Sequence, residues 1–221
     1  MAQNFEGFNE DTYKFLIELA FNNNKAFFAD NKERYKRSVQ EPMRAIAEDL
    51  LPTALAIDPS FNTNITSILS RIYRDTRFTK EKHPYRDHAW LAFRRPGMRM
   101  GESFLIYFEI SPKSFGYGLG MHEGNNDMMN ALRKRIQADP AGFLALIKAP
   151  ALANFHPEGN MYKRDRFPDA DEKLKPYLNR KSLSWCYSSD MLSATLKPSL
   201  LVEVREAFEA IGPLYRYVME M

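Results

Sequence analysis

Cysteine is almost absent from this chain. Cys186 is the single cysteine in 221 residues, which excludes an intramolecular disulfide and a thiolate zinc cluster. It stands in SLSWCYSS, an apolar and aromatic stretch typical of a strand, with no histidine close in sequence. A nucleophilic cysteine needs a base nearby. We therefore interpret Cys186 as a small buried hydrophobic residue.

Long apolar runs are also missing. No stretch approaches the length of a membrane span. The first residues, MAQNFEGFNEDTYKF, carry acids where a signal peptide would have a basic start and an apolar run. We expect a cytoplasmic protein with no membrane partner.

Sequence motifs typical of cofactor or metal binding are absent too. The sequence has no GxxxxGK[ST], GxSxG or HExxH pattern. Gly116, Gly118 and Gly120 alternate, but a dinucleotide fingerprint requires GxGxxG, so a strand with one crowded face or a bulge is the better interpretation. The sequence therefore predicts no cofactor and no metal.

What remains is an ordinary globular composition. Hydrophobic residues make up 44% and charged residues 27% of the chain, and the net charge is +3. A chain of this length buries roughly 70% of its unfolded surface, so it needs no disulfide or metal. The sequence shows no internal repeat and no linker, so we predict one domain over residues 1–221. It does not determine the oligomeric state.

Helical signals dominate the first third. Asn9 is a good N-cap, followed by the acids Glu10 and Asp11 in the first turn. The asparagines at 22–24 interrupt this helix. In the next helical stretch Pro42 should break the helix or open a new one at its first turn.

Short strand-like segments fill the middle of the chain. SILSRIYRD, HAWLAFRR, SFLIYFEIS and SFGYGLG are rich in β-branched and aromatic residues. SFLIYFEIS reads as a central strand, and the glycines and proline at 96–101 as a hairpin connection. Helical patterns return after Gly124, with one strand through SLSWCYS and a last helix starting near Pro198. We therefore predict an α+β fold: N-terminal helices, a central antiparallel β-meander, and C-terminal helices packed on the sheet.

The unusual segment is RIYRDTRFTKEKHPYRDH, where cations outnumber acids. If its start is extended, Arg71, Tyr73, Asp75 and Arg77 share one face. A carboxylate between two guanidiniums stays ionised and orients both. Arginine also binds carboxylate or phosphate through two parallel hydrogen bonds. His83 and His88 flank Asp87 here, but a surface or core role is the better interpretation of all four histidines.

This segment carries the pattern RxxRDxRFxxxKxPY, in Arg71, Arg74, Asp75, Arg77, Phe78, Lys82, Pro84 and Tyr85. The chain thereby resembles the bacterial and fungal family called domain of unknown function 2461. The similarity extends over nearly the whole chain. It includes the opening, with Phe27 where the family usually has tryptophan, and a later block. In that later block Tyr162, Lys163, Arg164 and Lys181 fit, whereas the usual Pro-Gly element is poorly kept. The resemblance implies no activity.

We predict an anion-binding domain, one form of which is an enzyme on a phosphorylated or carboxylated small molecule. The candidate catalytic residues are Asp75, which orients the arginines or acts as a base, and Tyr85, which donates a hydrogen bond or a proton. Pairing with arginines lowers the pKa of an aspartate, which counts against Asp75 as a base. The candidate ligand-binding residues are Arg71, Arg74, Arg77, Lys82, Lys163 and Arg164.

Two alternatives stay open. The basic loop could bind nucleic acid, with bases stacking on Trp90, Tyr107, Phe108 or Tyr117. It could instead be an ion-pair network that braces a structural or protein-interaction domain.

Overall fold

A computed structural model describes residues 3–77 and 83–220. Helices at both ends of the chain pack around a five-stranded sheet, which confirms the predicted α+β class. The α-helices are α1 Glu10–Phe21, α2 Lys25–Asp30, α3 Lys32–Tyr35, α4 Glu41–Ile57, α5 Ile65–Ile68, α6 Asn126–Ala138, α7 Pro140–Ile147, α8 Lys175–Leu178 and α9 Ser199–Met219. The strands are β1 Ala89–Phe93, β2 Leu105–Ile110, β3 Phe115–Gly120, β4 His156–Glu158 and β5 Ser184–Ser189. A π-helical turn spans Lys36–Gln40, and 3₁₀ turns span Pro150–Leu152 and Leu192–Leu196.

The helix starts follow the capping signals of the sequence. The side chain of Asn9 accepts from the amide of Thr12, and the Thr12 side chain accepts from the amide of Asn9 in return. Pro42 lies in the first turn of α4, directly after the π-helical turn Lys36–Gln40. Both predictions are confirmed. Among the described residues no helix is long and apolar enough to span a membrane.

The strands pair antiparallel in the order β1-β2-β3-β5-β4. The predicted interior position of β2 and the strand through SLSWCYS are confirmed. The predicted strand from Ser67 is wrong. The backbone beyond α5 pairs with β1 only around Leu69 and Ser70, and then leaves the sheet to pair with its own return segment. Strand β4 was not predicted, because Pro157 at its centre suits only an edge strand.

One face of the sheet lies in the hydrophobic core. Successive side chains of a strand point to opposite faces. Ile106, Phe108 and Ile110 of β2 are buried on the core face, against which α4 and α9 pack. Phe93 of β1 meets Phe208 of α9 edge to face, with ring centroids 6.0 Å apart. The predicted inward row of α9 is confirmed, since Leu201, Val204, Phe208 and Ile211 are all buried.

We call the other side of the sheet the open face, because Glu109, Ser188 and His156 on it are exposed to solvent. The strand register sets its rows. One row contains Trp90, Glu109, Gly116 and Ser188, and the next contains Ala92, Tyr107, Gly118, Cys186 and His156. The central strand β3 thus contributes only glycines to this face.

The glycines of β3 on the open face are needed because the backbone of β5 lies too close to leave room for a β-carbon. A β-carbon on Gly118 would lie 2.3 Å from the carbonyl oxygen of Trp185 and 2.9 Å from the Cα of Cys186. Backbone atoms of β5 cannot give way as a flexible side chain can, so the two strands would have to separate. The structure thus agrees with the crowded face expected from the sequence.

We predict that Gly118→Ala lowers the free energy of unfolding by roughly 1–3 kcal/mol, the usual cost of overpacking. Urea denaturation measures this. Ser188→Ala, on the exposed part of β5, is the matched control and should stay within about 0.5 kcal/mol of the parent. Equal stability of the two variants would contradict the crowding argument.

Candidate functional site

Residues 70–77 and 83–88 form a two-stranded projection at the β1 edge, which we call the arginine arm. Tyr73 and Tyr85 form an isolated β-bridge. The amide of Arg74 donates to the carbonyl of Pro84 at 2.9 Å, and the amide of Arg86 donates to that of Ile72 at 2.8 Å. These hydrogen bonds hold the outgoing and returning segments side by side. The extended face predicted over 71–77 is present only near Tyr73.

Tyr85 anchors the arm to the N-terminal helices. Its side chain is only 5% exposed and stacks on Phe28 with ring centroids 4.3 Å apart. Asn23 accepts from the Tyr85 amide and donates to its carbonyl, both at 3.0 Å. Burial raises the pKa of Tyr85. This position favours an anchoring role over contact with a soluble ligand, for which Tyr85 was a candidate.

Asp75 pairs with Arg77, as its place in the motif suggested. Arg77 Nε donates to Asp75 Oδ1 at 3.0 Å, and Nη2 donates to Oδ2 at 2.7 Å. The Arg77 amide also donates to Oδ1. These bonds from Arg77 lower the pKa of Asp75 to about 2. A carboxylate this acidic is a weak base at neutral pH, so the structure favours orientation of Arg77 as its role.

Arg86 lies at the base of the arm and was not among the candidate residues. Its Nη1 donates to the carbonyls of Arg71 and Tyr73, and its guanidinium lies 5.0 Å from the centre of the Trp90 ring. Burial lowers the pKa of Arg86, the neighbouring Arg71 and Arg74 lower it further, and Asp75 acts in the opposite direction. The positive charges of Arg71 and Arg74 therefore act on a guanidinium, that of Arg86, which burial has already partly removed from water.

The remaining candidates are Lys82, Lys163 and Arg164. Lys82 and Phe78 fall outside the described residues. Lys163 and Arg164 are exposed in the segment before β5, where the Tyr162 amide donates to the carbonyl of Asn179. The sheet order puts β5 and β4 at the edge opposite β1. Lys163 and Arg164 follow the edge strand β4, and an exposed basic face remains the better interpretation of the two residues.

Sequence reasoning also missed Glu109 on the open face, directly opposite Trp90 in the register. Glu109 is exposed to solvent, and His88 and His122 lie close enough to act on its carboxylate electrostatically. Its Oε1 comes within 3.8 Å of where a β-carbon of Gly116 would stand. The available signal was an acid inside the otherwise apolar SFLIYFEIS.

Next to Arg86, Asp87 and His88 form a pair. The Nδ1 atom of His88 lies 3.0 Å from Asp87 Oδ1, and the imidazole stacks on Trp90 with centroids 5.3 Å apart. No three metal-ligating side chains converge anywhere in residues 3–77 and 83–220.

Of the aromatic residues proposed for base stacking, Trp90 and Tyr107 lie on the open face, whereas Phe108 and Tyr117 lie on the core face.

Cys186 fits the buried interpretation. Its thiol lies 3.7 Å from the carbonyl oxygen of His156. Burial raises the pKa of the Cys186 thiol to about 12, and the Glu158 carboxylate acts in the same direction. A thiol that stays protonated at neutral pH is a poor nucleophile.

Comparison with known proteins identifies the family. The conserved hypothetical protein family DUF2461 matches residues 11–217, so this chain belongs to that family, as the motif indicated. No curated protein matches the chain. The description of the family names no activity, so the geometry of the site has to indicate the function.

Proposed function

We propose that this protein binds a phosphorylated or carboxylated small molecule at the arginine arm. The supporting observation is the charge balance around Arg86. Neither Arg71 nor Arg86 forms an ion pair within the described part of the chain, while the two described acids of the arm pair with Arg77 and His88. A bound anion would offset the mutual repulsion and accept paired hydrogen bonds from the guanidiniums.

The residues take distinct roles in this proposal. Arg71 and Arg86 contact the anion, and Asp75 holds Arg77 in a fixed orientation beside them. Tyr85 and Asn23 hold the arm on the helices, so that the guanidiniums are positioned before the ligand arrives. Such preorganisation lowers the entropy lost on binding.

A thermal-shift screen tests the proposal, with phosphate, sulfate, nucleotides, sugar phosphates, dicarboxylates and short oligonucleotides. A ligand that binds only the folded state raises the melting temperature. We predict that Arg71→Gln abolishes the shift, because the ligand loses one charge-assisted contact of roughly 1.5–3 kcal/mol. Arg71 is exposed, so the unliganded variant should melt as the parent does.

Arg164→Gln is the matched control, an exposed arginine at the opposite edge of the sheet. It should keep the full shift, which separates site binding from the general stabilisation of proteins by sulfate and phosphate. An equal shift in the parent and both variants would refute binding at the arm.

Nucleic-acid binding is the second candidate, because Trp90 and Tyr107 share the open face beside the arm. Arg86 and His88 already contact the Trp90 indole, which leaves less of it for a base. This candidate requires oligonucleotide affinity that falls steeply with salt. A purely bracing role for the arm would instead give no shift with any anion and a destabilised arm variant.

A further inference from the structure

Asp87 and Trp90 hold the imidazole ring of His88 in a fixed orientation. The hydrogen bond between Nδ1 and Asp87 at 3.0 Å and the stacking on Trp90, at an interplanar angle of 21°, fix the ring from two sides. With Nδ1 donating to a carboxylate, Nε2 is the nitrogen left to meet a ligand. The His88 side chain is 43% exposed, so solutes reach it.

His88 is also next to the proposed anion site. Arg86 and His88 each lie beside the same indole ring, with the guanidinium 5.0 Å and the imidazole centre 5.3 Å from the centre of Trp90. The charged groups around His88 are Asp87 and Arg86 on its own segment and Glu109 on the adjacent strand β2. His122 adds a further ionisable group near Glu109.

We propose that His88 belongs to the anion site, which then takes a phosphoryl group and binds it more tightly when His88 is protonated. The inference rests on the proposed function and specifies its ligand. A phosphoryl group has three terminal oxygens for Arg71, Arg86 and His88, whereas a carboxylate has two. Protonation gives the imidazole a positive charge and a second N–H donor, so the protonated form binds the anion more tightly.

Sulfate is the probe for the test, because it keeps the same charge near neutral pH while phosphate itself titrates there. Isothermal titration calorimetry at constant ionic strength compares about pH 5.5 with about pH 8. Wild-type protein should bind sulfate about tenfold more tightly at the lower pH, the size expected for one added charge-assisted hydrogen bond. In His88→Gln the affinity should be the same at both values and close to that of the wild type at the higher pH.

His156→Gln is the matched control, since His156 is an exposed histidine on the open face at the β4 edge. It should retain the tenfold dependence. Sulfate binding of equal strength at both pH values would overturn the role of His88 and leave the proposed function intact. Persistence of the dependence in His88→Gln would also overturn it. If wild-type protein binds no sulfate at either pH and no anion of the screen, the proposed function itself fails.

A spectroscopic measurement keeps the test valid if His88→Gln does not fold. In the wild-type protein, NMR follows the four imidazole signals through a pH titration with and without saturating sulfate. The signal of His88 should titrate at a higher pH in sulfate, and that of His156 should not move. The same experiment on Arg71→Gln should show no sulfate effect. An unchanged His88 signal in sulfate-saturated wild-type protein would exclude contact with the anion.

Discussion

Replacing Arg133 by methionine should lower the free energy of unfolding by about 3–5 kcal/mol. Arg133 lies on α6 and is only 5% exposed. Its Nε donates to the carbonyl of Leu178 at 2.9 Å, and Nη2 donates to the carbonyl of Arg180. Methionine preserves much of the volume but leaves these buried acceptors without donors, at roughly 1–3 kcal/mol each.

Further contacts of Arg133 add to the loss. Its Nη1 donates to Asn130 Oδ1 at 2.7 Å, and its guanidinium lies 5.5 Å from the ring centre of Tyr162 and 5.9 Å from that of Phe167. This one side chain therefore ties α6 to the segment that leads into β5. Arg133→Met should detach that segment and expose it early in unfolding.

Thermal and urea denaturation measure the effect of Arg133→Met. For a chain of this size each kcal/mol moves the melting temperature by about 2–4 °C, so a fall of roughly 10 °C is expected. Arg164→Met is the control, an exposed arginine of the same segment, and should change stability by less than about 0.5 kcal/mol. A comparably small loss in Arg133→Met would show that water replaces the lost donors.

Asp58→Ala should lower the free energy of unfolding by about 3 kcal/mol. Asp58 is 5% exposed at the end of α4, where Oδ2 accepts from Arg95 Nε at 2.6 Å and from the Tyr215 hydroxyl at 2.8 Å. Oδ1 accepts from the amide of Ser60 at 2.9 Å. Alanine leaves the buried Tyr215 hydroxyl without this acceptor. Because the Arg95 side chain is 37% exposed, water can solvate it, which keeps the loss at the lower end for a broken buried ion pair.

The same carboxylate makes stability depend on pH. Burial pushes the pKa of Asp58 upward, but the hydrogen bonds from Arg95, Ser60 and Tyr215 outweigh this, so the pKa lies below its ordinary value. Its contribution is therefore fully present above the unfolded pKa of about 3.9 and is lost as the pH falls through the lower folded value. Asp58→Asn keeps an acceptor for Tyr215 and should flatten the dependence of stability on pH in that acid range. An unchanged slope would assign the acid sensitivity to other carboxylates.

Part of the candidate site was readable from the sequence because it is local. Asp75 and Arg77 are two residues apart, so any turn that brings them together allows the carboxylate to accept from the guanidinium and the amide. The concentration of cations in the arm follows from composition alone. By contrast, Glu109 is far from the arm in sequence, and only the pairing of β1 with β2 puts it opposite Trp90.

The burial of Arg133 could not be predicted from the sequence either. Arg133 follows Leu132 in a helix whose outer face is highly charged, and nothing local distinguishes it from exposed neighbours such as Lys134. It is buried because the segment before β5 lies against α6, where the carbonyls of Leu178 and Arg180 accept from its guanidinium. The long-range partner decides the environment of the charge.

The sequence by itself determined the α+β class, the helix starts at Asn9 and Pro42, the buried face of α9 and the family. The structural features depend on hydrophobic periodicity or on capping, which act between residues close in the chain. The family follows from one continuous motif, residues 71–85. The tertiary structure decided that the backbone after α5 leaves the sheet as an arm, and that Lys163 and Arg164 lie at the far edge from it. It also brought Glu109 opposite Trp90, next to Arg86 and His88, which precede Trp90 directly in the chain. The physical reason is that strand order and register are set by packing and backbone pairing between distant segments, and these determine which charges become neighbours.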